Sequence, residues 1–286
     1  MPSTLRVGAY PFASTGSIPQ NLSKICGAIR QAAAEQVRLL VFHECALCGY
    51  PPIETQMERI SPGEIEAALL QIGALTRECR LYAAVGTVRF EGQKRYNSLF
   101  LFDDTGRQIG CYDKKALWGW DSENFSPGSQ PGLFCIDGFR VGLRICFDVR
   151  FPEPFRELYR EGVDLCAVSF SDTQKEPSPA RYQTIKSHLV TRAMENIMSV
   201  VSVNSLSAFQ TAPTAFFDWN GSVLRESELD SERLLIYDVE KPDITFGVKG
   251  RVVNNDFFIA QEKDTEKRDN YVSASSGIPG NHEKTF

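Results

Sequence analysis

Histidine is scarce in this chain: three residues among 286, at positions 43, 188 and 282. His282 sits in a polar C-terminal stretch, and His43 and His188 lie in dissimilar contexts, so few base–nucleophile pairs can be drawn with an imidazole. A Gly-x-Ser-x-Gly elbow, a Walker loop and a GxGxxG fingerprint are all missing. A Ser-His-Asp hydrolase, a P-loop enzyme and a dinucleotide-binding enzyme are therefore not expected. No apolar run reaches the roughly 18 residues a membrane-spanning helix requires. The opening MPSTLRVGAYPFAS has no basic stretch followed by an apolar core, so no secretory signal is expected. Positive charge is not in excess either: Lys and Arg number 31 against 36 Asp and Glu, a net charge of -5, which argues against a nucleic-acid partner.

What the chain does have is an ordinary globular composition, 42% hydrophobic and 23% charged. Its eight cysteines are scattered through a length able to build its own core. Several lie in apolar, strand-like runs, where a thiol behaves as a small hydrophobe. A reducing, cytoplasmic compartment is the expectation.

Short apolar runs alternate with helical patterns along most of the chain. Strands are expected at 5–10, 37–43, 81–88, 96–103 and 110–117, then at 139–146, 164–170, 198–204, 214–221 and 234–239. Val37–His43 reads as a strand buried on both faces. Helices are expected over 18–36, 64–80, 152–161 and 179–196, from apolar residues at helical spacing. Strands outnumber helices, yet helices lie between many of them. That pattern predicts an α/β fold of stacked sheets covered by helices, one domain in four layers over residues 1–260. Residues 261–286 turn polar and are expected as a tail or an arm packed on a neighbouring subunit.

Four residues at or within apolar runs are candidates for chemistry. Cys146 ends the run FRVGLRIC, and the chain then turns sharply through FDVRFPE into a helix. A nucleophile at a strand end is exposed at the sheet edge, with following N–H groups able to face an oxyanion. A buried packing thiol has the same appearance. Glu44 directly follows VRLLVFH, and a surface carboxylate is its plain alternative. Lys114 and Lys115 lie inside GCYDKKALW; side-chain alternation sends one of them inward, unless both serve on an edge strand. Cys45-x-x-Cys48 beside His43 suggests a redox pair or half a zinc site, but no second Cys-x-x-Cys or paired His completes it. No metal or organic cofactor is expected.

Taken together, four segments in order resemble the nitrilase superfamily, the carbon–nitrogen hydrolases with a Glu-Lys-Cys triad. LLVFHECALCGYPP is similar to the segment of the general-base glutamate, at Glu44. YDKKALW is similar to the Tyr-x-Lys-x-x-Leu segment, which puts the lysine at Lys114. GLRICFDVRFPE resembles the nucleophile segment, with Cys146 as the thiol. ENFSPG resembles the Glu-x-x-x-Pro-Gly element and matches Glu123 to a second glutamate near the substrate. TRAMENIMSVVSVN resembles a helix and strand that are structural in the family.

The resemblance implies an α-β-β-α sandwich that pairs into homodimers or larger assemblies. It also implies a small-molecule amide substrate and cleavage to acid and ammonia through a cysteine thioester. Glu44 would be the base; Lys114 and the backbone N–H near Phe147 would hold the oxyanion, and Glu123 would position the substrate or tune Glu44 and Lys114 electrostatically. Trp118, with Trp120 and Phe125, either lines an acyl pocket or anchors its loop. The short segment from Lys114 to Phe125 and the Phe147-Asp148 context favour an amidase. An N-carbamoyl hydrolase or a nitrilase is the alternative within the family, and a catalytically silent scaffold the alternative outside enzymology. The chain departs from the pattern at Ala116, where many relatives have His, and at SLSA after Asn204, where a glycine is common.

Overall fold

The computed structural model describes residues 4–206 and 209–276. In the first half, β1 (Thr4–Tyr10), α1 (Ile18–Ala34), β2 (Leu39–Phe42), α2 (Pro62–Cys79), β3 (Tyr82–Glu91), β4 (Lys94–Phe102) and β5 (Gln108–Asp113) follow one another. A short helix α3 (Trp120–Asn124) leads to β6 (Leu133–Ile136), β7 (Phe139–Ile145), α4 (Glu153–Arg160) and β8 (Leu165–Phe170). Two-residue strands β9 (Thr173–Gln174) and β11 (Phe209–Gln210) pair as a separate ribbon around α5 (Pro179–Asn196) and β10 (Ser199–Asn204). Strands β12 (Ala215–Phe217), β13 (Val223–Glu226) and β14 (Leu235–Glu240) follow, and α6 (Phe246–Ser276) ends the described chain.

The larger strands form two six-stranded sheets, ordered β14-β1-β2-β3-β4-β5 and β13-β12-β10-β8-β7-β6. Side-chain alternation within single strands assigns the layers. In β2, Leu40 and Phe42 join a core with Ile25 and Ile29 of α1 and Ile65 and Ile72 of α2. Their neighbours Leu39 and Val41 point the other way, into a core shared with Leu143, Leu165 and Val201 of the second sheet. In β8, Leu165 and Ala167 face that central core, while Cys166 and Val168 pack with Phe155 of α4 and Leu189 of α5. A strand apolar on both faces can only be satisfied between two layers. The result is the α-β-β-α sandwich that the sequence predicts.

Parallel pairing sets where function can reside. Strands β1, β2 and β3 run parallel, as do β7, β8 and β10. Their carboxyl ends meet: the Glu44 N–H donates to Phe170 O at 3.3 Å, and the Ser169 hydroxyl donates to Phe42 O at 2.7 Å. Sequence and structure differ in detail. Strand β5 stops at Asp113, so Lys114 and Lys115 follow the strand rather than lie within it. β6 and β13 are too short for an alternation pattern to reveal them.

The chain divides into two compact units, Met1–Pro242 and Asp243–Phe286, so the first unit ends earlier than residue 260. The second carries α6, which continues through Ser276 where the sequence reading has a tail. Gln261, Glu262 and Lys263 are good helix formers despite their polarity. Residues 277–286, with His282, lie outside the described residues. All eight cysteines are free. Among the described residues no helix is long and apolar enough to cross a membrane.

Gly86 of β3 lies directly under the turn that follows β2. A Cβ there would sit 2.3 Å from His43 O and 2.7 Å from Cys45 N. Both contacts are backbone atoms flanking Glu44, so neither can swing away. Gly86→Ala is expected to cost about 2–3 kcal/mol in denaturant unfolding. An unfolding midpoint equal to the parent's would contradict this account.

Candidate active site

Glu44, Lys114 and Cys146 come from three separate strand ends and meet at one end of the sandwich. Glu44 and Lys114 are each 1% exposed. The Lys114 ammonium donates to Glu44 Oε1 at 2.8 Å and to Asp121 Oδ2 at 2.6 Å. A buried ammonium is costly unless paired, and here it has two carboxylates. Burial alone would lower the Lys114 pKa, but Glu44, the Cys146 thiolate when formed and Asp121 outweigh it and raise the value well above that of a free lysine. Lys114 is therefore a fixed cation.

Glu44 is held on both oxygens. Oε1 also accepts from Asn97 Nδ2 at 2.7 Å, and Oε2 accepts from the Ser171 N–H at 2.8 Å. Burial raises its pKa, opposed by Lys114 and reinforced by Asp121. A carboxylate so placed takes up a proton more readily than one in water. The preceding His43 is fully buried, with Nδ1 3.1 Å from Glu44 O and its ring 4.6 Å from that of Phe12. Burial lowers its pKa to about 4, so it stays neutral.

Cys146 occupies a turn of unusual backbone. β7 ends at Ile145, and Cys146 opens a 3-10 turn through Arg150 with φ of +45°. A non-glycine residue in the left-handed region is held there by its surroundings. The brace is Asp148, which is fully buried. Its Oδ2 accepts from the Ile145 N–H at 2.9 Å and the Tyr112 hydroxyl at 2.8 Å, and its Oδ1 accepts from the Ala116 N–H at 2.8 Å. One carboxylate thus ties the Cys146 turn to the segment that carries Lys114. Behind the turn, Arg192 of α5 donates to Val149 O at 3.0 Å. Burial raises the Cys146 pKa well above that of a free thiol, and Glu44 adds to the rise while Lys114 opposes it. At neutral pH the group is a thiol that needs a base.

A cavity of about 80 Å³ opens onto Cys146, lined also by Tyr50, Lys114, Trp118, Phe147 and Arg181. Trp118 and Phe147 therefore stand at the cavity, with Trp118 51% exposed. Trp120 and Phe125 pack on each other, ring centroids 5.8 Å apart, and anchor the loop. Glu123 is exposed on α3, and this corrects its placement as the second acid of the site. The acid that meets Lys114 is Asp121, two residues earlier, fully buried, its other oxygen accepting from the Tyr50 hydroxyl at 2.8 Å.

Asp121, Asn97, Tyr50 and Asp148 are the residues that sequence reasoning missed. Asn97 alone left a signal, as a polar residue inside the strand run YNSLFLF. Lys115 turns away from the cavity and pairs with Glu157 at 2.7 Å. Cys45 and Cys48 are both buried beside Glu44, with Cys45 Sγ 3.7 Å from Asn97 Oδ1. Among the described residues no group of three or more His, Cys, Asp or Glu is arranged to hold a metal.

Residues 6–246 match the family model described as Carbon-nitrogen hydrolase. An (R)-stereoselective amidase from Pseudomonas sp is 28% identical over 193 residues, covering 68% of each chain. An omega-amidase from Bos taurus is 28% identical over 163 residues, 53% of this chain and 58% of that protein, so the matched stretch spans little more than half its length. Among solved structures, a mutant of the amidase from Nesterenkonia sp. AN1 superposes with a TM-score of 0.75 at 23% identity, covering 83% of this chain and 91% of that one. That amidase carries the acetamide moiety of fluoroacetamide covalently added at its active site cysteine. At this identity the likeness shows the shared fold.

The two acids of α3 can be told apart experimentally. Asp121→Ala leaves a buried ammonium with one partner fewer and is expected to cost about 3–5 kcal/mol in stability. Glu123→Ala, on the surface, is expected to stay within about 0.5 kcal/mol of the parent. Chemical denaturation of both variants checks this, and equal losses would contradict the assignment.

Proposed function

The chain belongs to the carbon–nitrogen hydrolase family, a hydrolase family acting on C–N bonds, and on that premise we propose that it is a thiol amidase, hydrolysing a small carboxamide to acid and ammonia. The observation that carries this reading is the Cys146 turn, which sets a protonated thiol at a cavity shared with the cation Lys114, itself paired with Glu44. Burial and the nearby Glu44 favour the protonated thiol, which a base would activate. Glu44 is the base, buried and tuned upward for the task.

In the acylation step Glu44 takes the Sγ proton as sulfur attacks the amide carbon. The C–S bond forms while the carbonyl π pair moves onto oxygen. Lys114 and the Phe147 N–H stabilise that oxyanion; both stand at the cavity before substrate arrives, so little reorganisation is needed. Collapse breaks the C–N bond, and Glu44 returns the proton to the departing amine, leaving a thioester and ammonia. In the second half Glu44 deprotonates water, the C–O bond forms, the C–S bond breaks, and the thiol is regenerated with the acid product.

Cavity size favours a small acyl group, since about 80 Å³ is well below the several hundred Å³ of pockets that take drug-sized ligands. The covalent adduct seen at the cysteine of the Nesterenkonia amidase supports the thioester route by likeness.

Ammonia release screened over small amides, nitriles and N-carbamoyl compounds tests the reaction class, with amides expected to dominate. Cys146→Ala and Glu44→Gln are each expected to lower kcat at least about 10³-fold with circular dichroism unchanged. Turnover retained by Cys146→Ala would overturn the nucleophile assignment. The pH profile carries a further expectation. Because the active base is ionised Glu44, kcat/KM should rise with pH as its proton leaves, with the acid limb above the ordinary carboxylate range. An acid limb at the pKa of a free glutamate would contradict a buried base.

A further inference from the structure

The cavity at Cys146 has a second charged wall that the steps above do not use. Arg181, in the first turn of α5, lines it together with Asp172 and Gln174. The guanidinium is held in place. Its Nε and Nη2 donate to Asp172 Oδ1 and Oδ2, each at 2.8 Å. Asp172 is only 7% exposed, and its Oδ1 also accepts from the Thr211 hydroxyl. Its backbone is fixed by Asn204, which accepts from the Asp172 N–H at 2.9 Å and donates to Asp172 O at 2.9 Å. The arginine is thus oriented by groups that follow β8 and end β10.

A guanidinium is planar and carries five N–H donors in a rigid fork. With the Nε–Nη2 side committed to Asp172, the end-on edge, Nη1 and the outer N–H of Nη2, remains. That edge is one that binds a carboxylate through two parallel hydrogen bonds. The Arg181 side chain is 35% exposed and lines the cavity. Asp172 accepts from Arg181 on both oxygens and from Thr211 on Oδ1, so the free donors left at this wall are those of Arg181. Polarity at this wall therefore selects for an acceptor group on the substrate.

Resting on the amidase reading above, we infer that Arg181 is a specificity residue that receives a carboxylate at the far end of the acyl group. The preferred substrates are then small amides that also carry a carboxylate, such as monoamides of dicarboxylic acids. The Arg181–Asp172 pair is neutral overall, so selection comes from the geometry of the hydrogen-bond fork more than from net charge. Charged hydrogen bonds of this kind correspond to roughly a ten- to hundredfold effect on specificity.

The test compares kcat/KM for succinamate and for pentanamide, a neutral amide of similar length, in the full-length protein. Succinamate is expected to be favoured. Arg181→Met should lower the succinamate-to-pentanamide ratio roughly ten- to hundredfold, mostly through KM for succinamate, and Arg181→Lys should restore part of it. A ratio unchanged in Arg181→Met would overturn the inference, leaving Arg181 as a structural partner of Asp172. A measurement on the parent protein needs no variant: succinate should inhibit competitively at least about tenfold more strongly than pentanoate. Equal inhibition would also overturn it. If the parent releases ammonia from pentanamide but disfavours succinamate, only this inference fails. Failure with every amide would sink the amidase reading and this inference with it.

Discussion

Lys114 is the constraint on which the site is built. Its ammonium is sealed from water, and a cation in that position is tolerable only with carboxylates on either side. Glu44 must therefore come from the end of β2 and Asp121 from α3, and the loop between β5 and β6 must fold back to deliver the latter. Local packing enforces that return. The Gly128 N–H donates to Lys114 O at 2.9 Å, and a Cβ on Gly128 would sit 2.1 Å from Asp113 O. The cation that steadies two acids in the resting protein is also the one an oxyanion would meet.

Cys146 is governed from a second direction. Asp148 fixes the turn from inside, accepting from Ile145, the residue before Cys146, and from Ala116 beyond Lys114. Sulfur and ammonium thus share one frame although Ala116 and Asp148 are 32 positions apart in the chain. Arg144 supports that frame from below. It is fully buried, donates to Pro131 O and Pro154 O, and shares Glu157 with Lys115. The lysine next to the site lysine therefore serves the scaffold.

The four-layer fold was legible because alternation is a local property: β2 and β8 are apolar on both faces, and such strands need cover on both sides. Glu44, Lys114 and Cys146 were singled out by the ordered resemblance of their segments, since each taken alone has a plain structural reading and the choice of Lys114 over Lys115 rests on the motif. Asp121 was not, since α3 carries two acids two residues apart and nothing in their spacing says which one turns inward. The choice is made by Lys114, seven positions away, and by Tyr50, 71 positions away, through side-chain contacts that helix periodicity does not encode. Asp148 was hidden for a related reason, because a carboxylate that binds backbone N–H groups leaves no periodic signal. Residues 261–276 were misleading in the opposite sense, polar enough to suggest a tail while being able to form a helix.

The backbone of Cys146 bears on which nucleophiles this position can host at all. A β-branched side chain is strongly disfavoured at positive φ, whereas small unbranched ones are tolerated far better. Threonine would therefore strain the turn, a cost this fold bears once at a β-branched residue, Ile197, with φ of +52°. Serine would fit the backbone, but its hydroxyl is a far weaker acid than a thiol and would ask more of the same glutamate. Substitution at residue 146 is thus limited from two sides, by the strain of the backbone and by the acidity of the side chain.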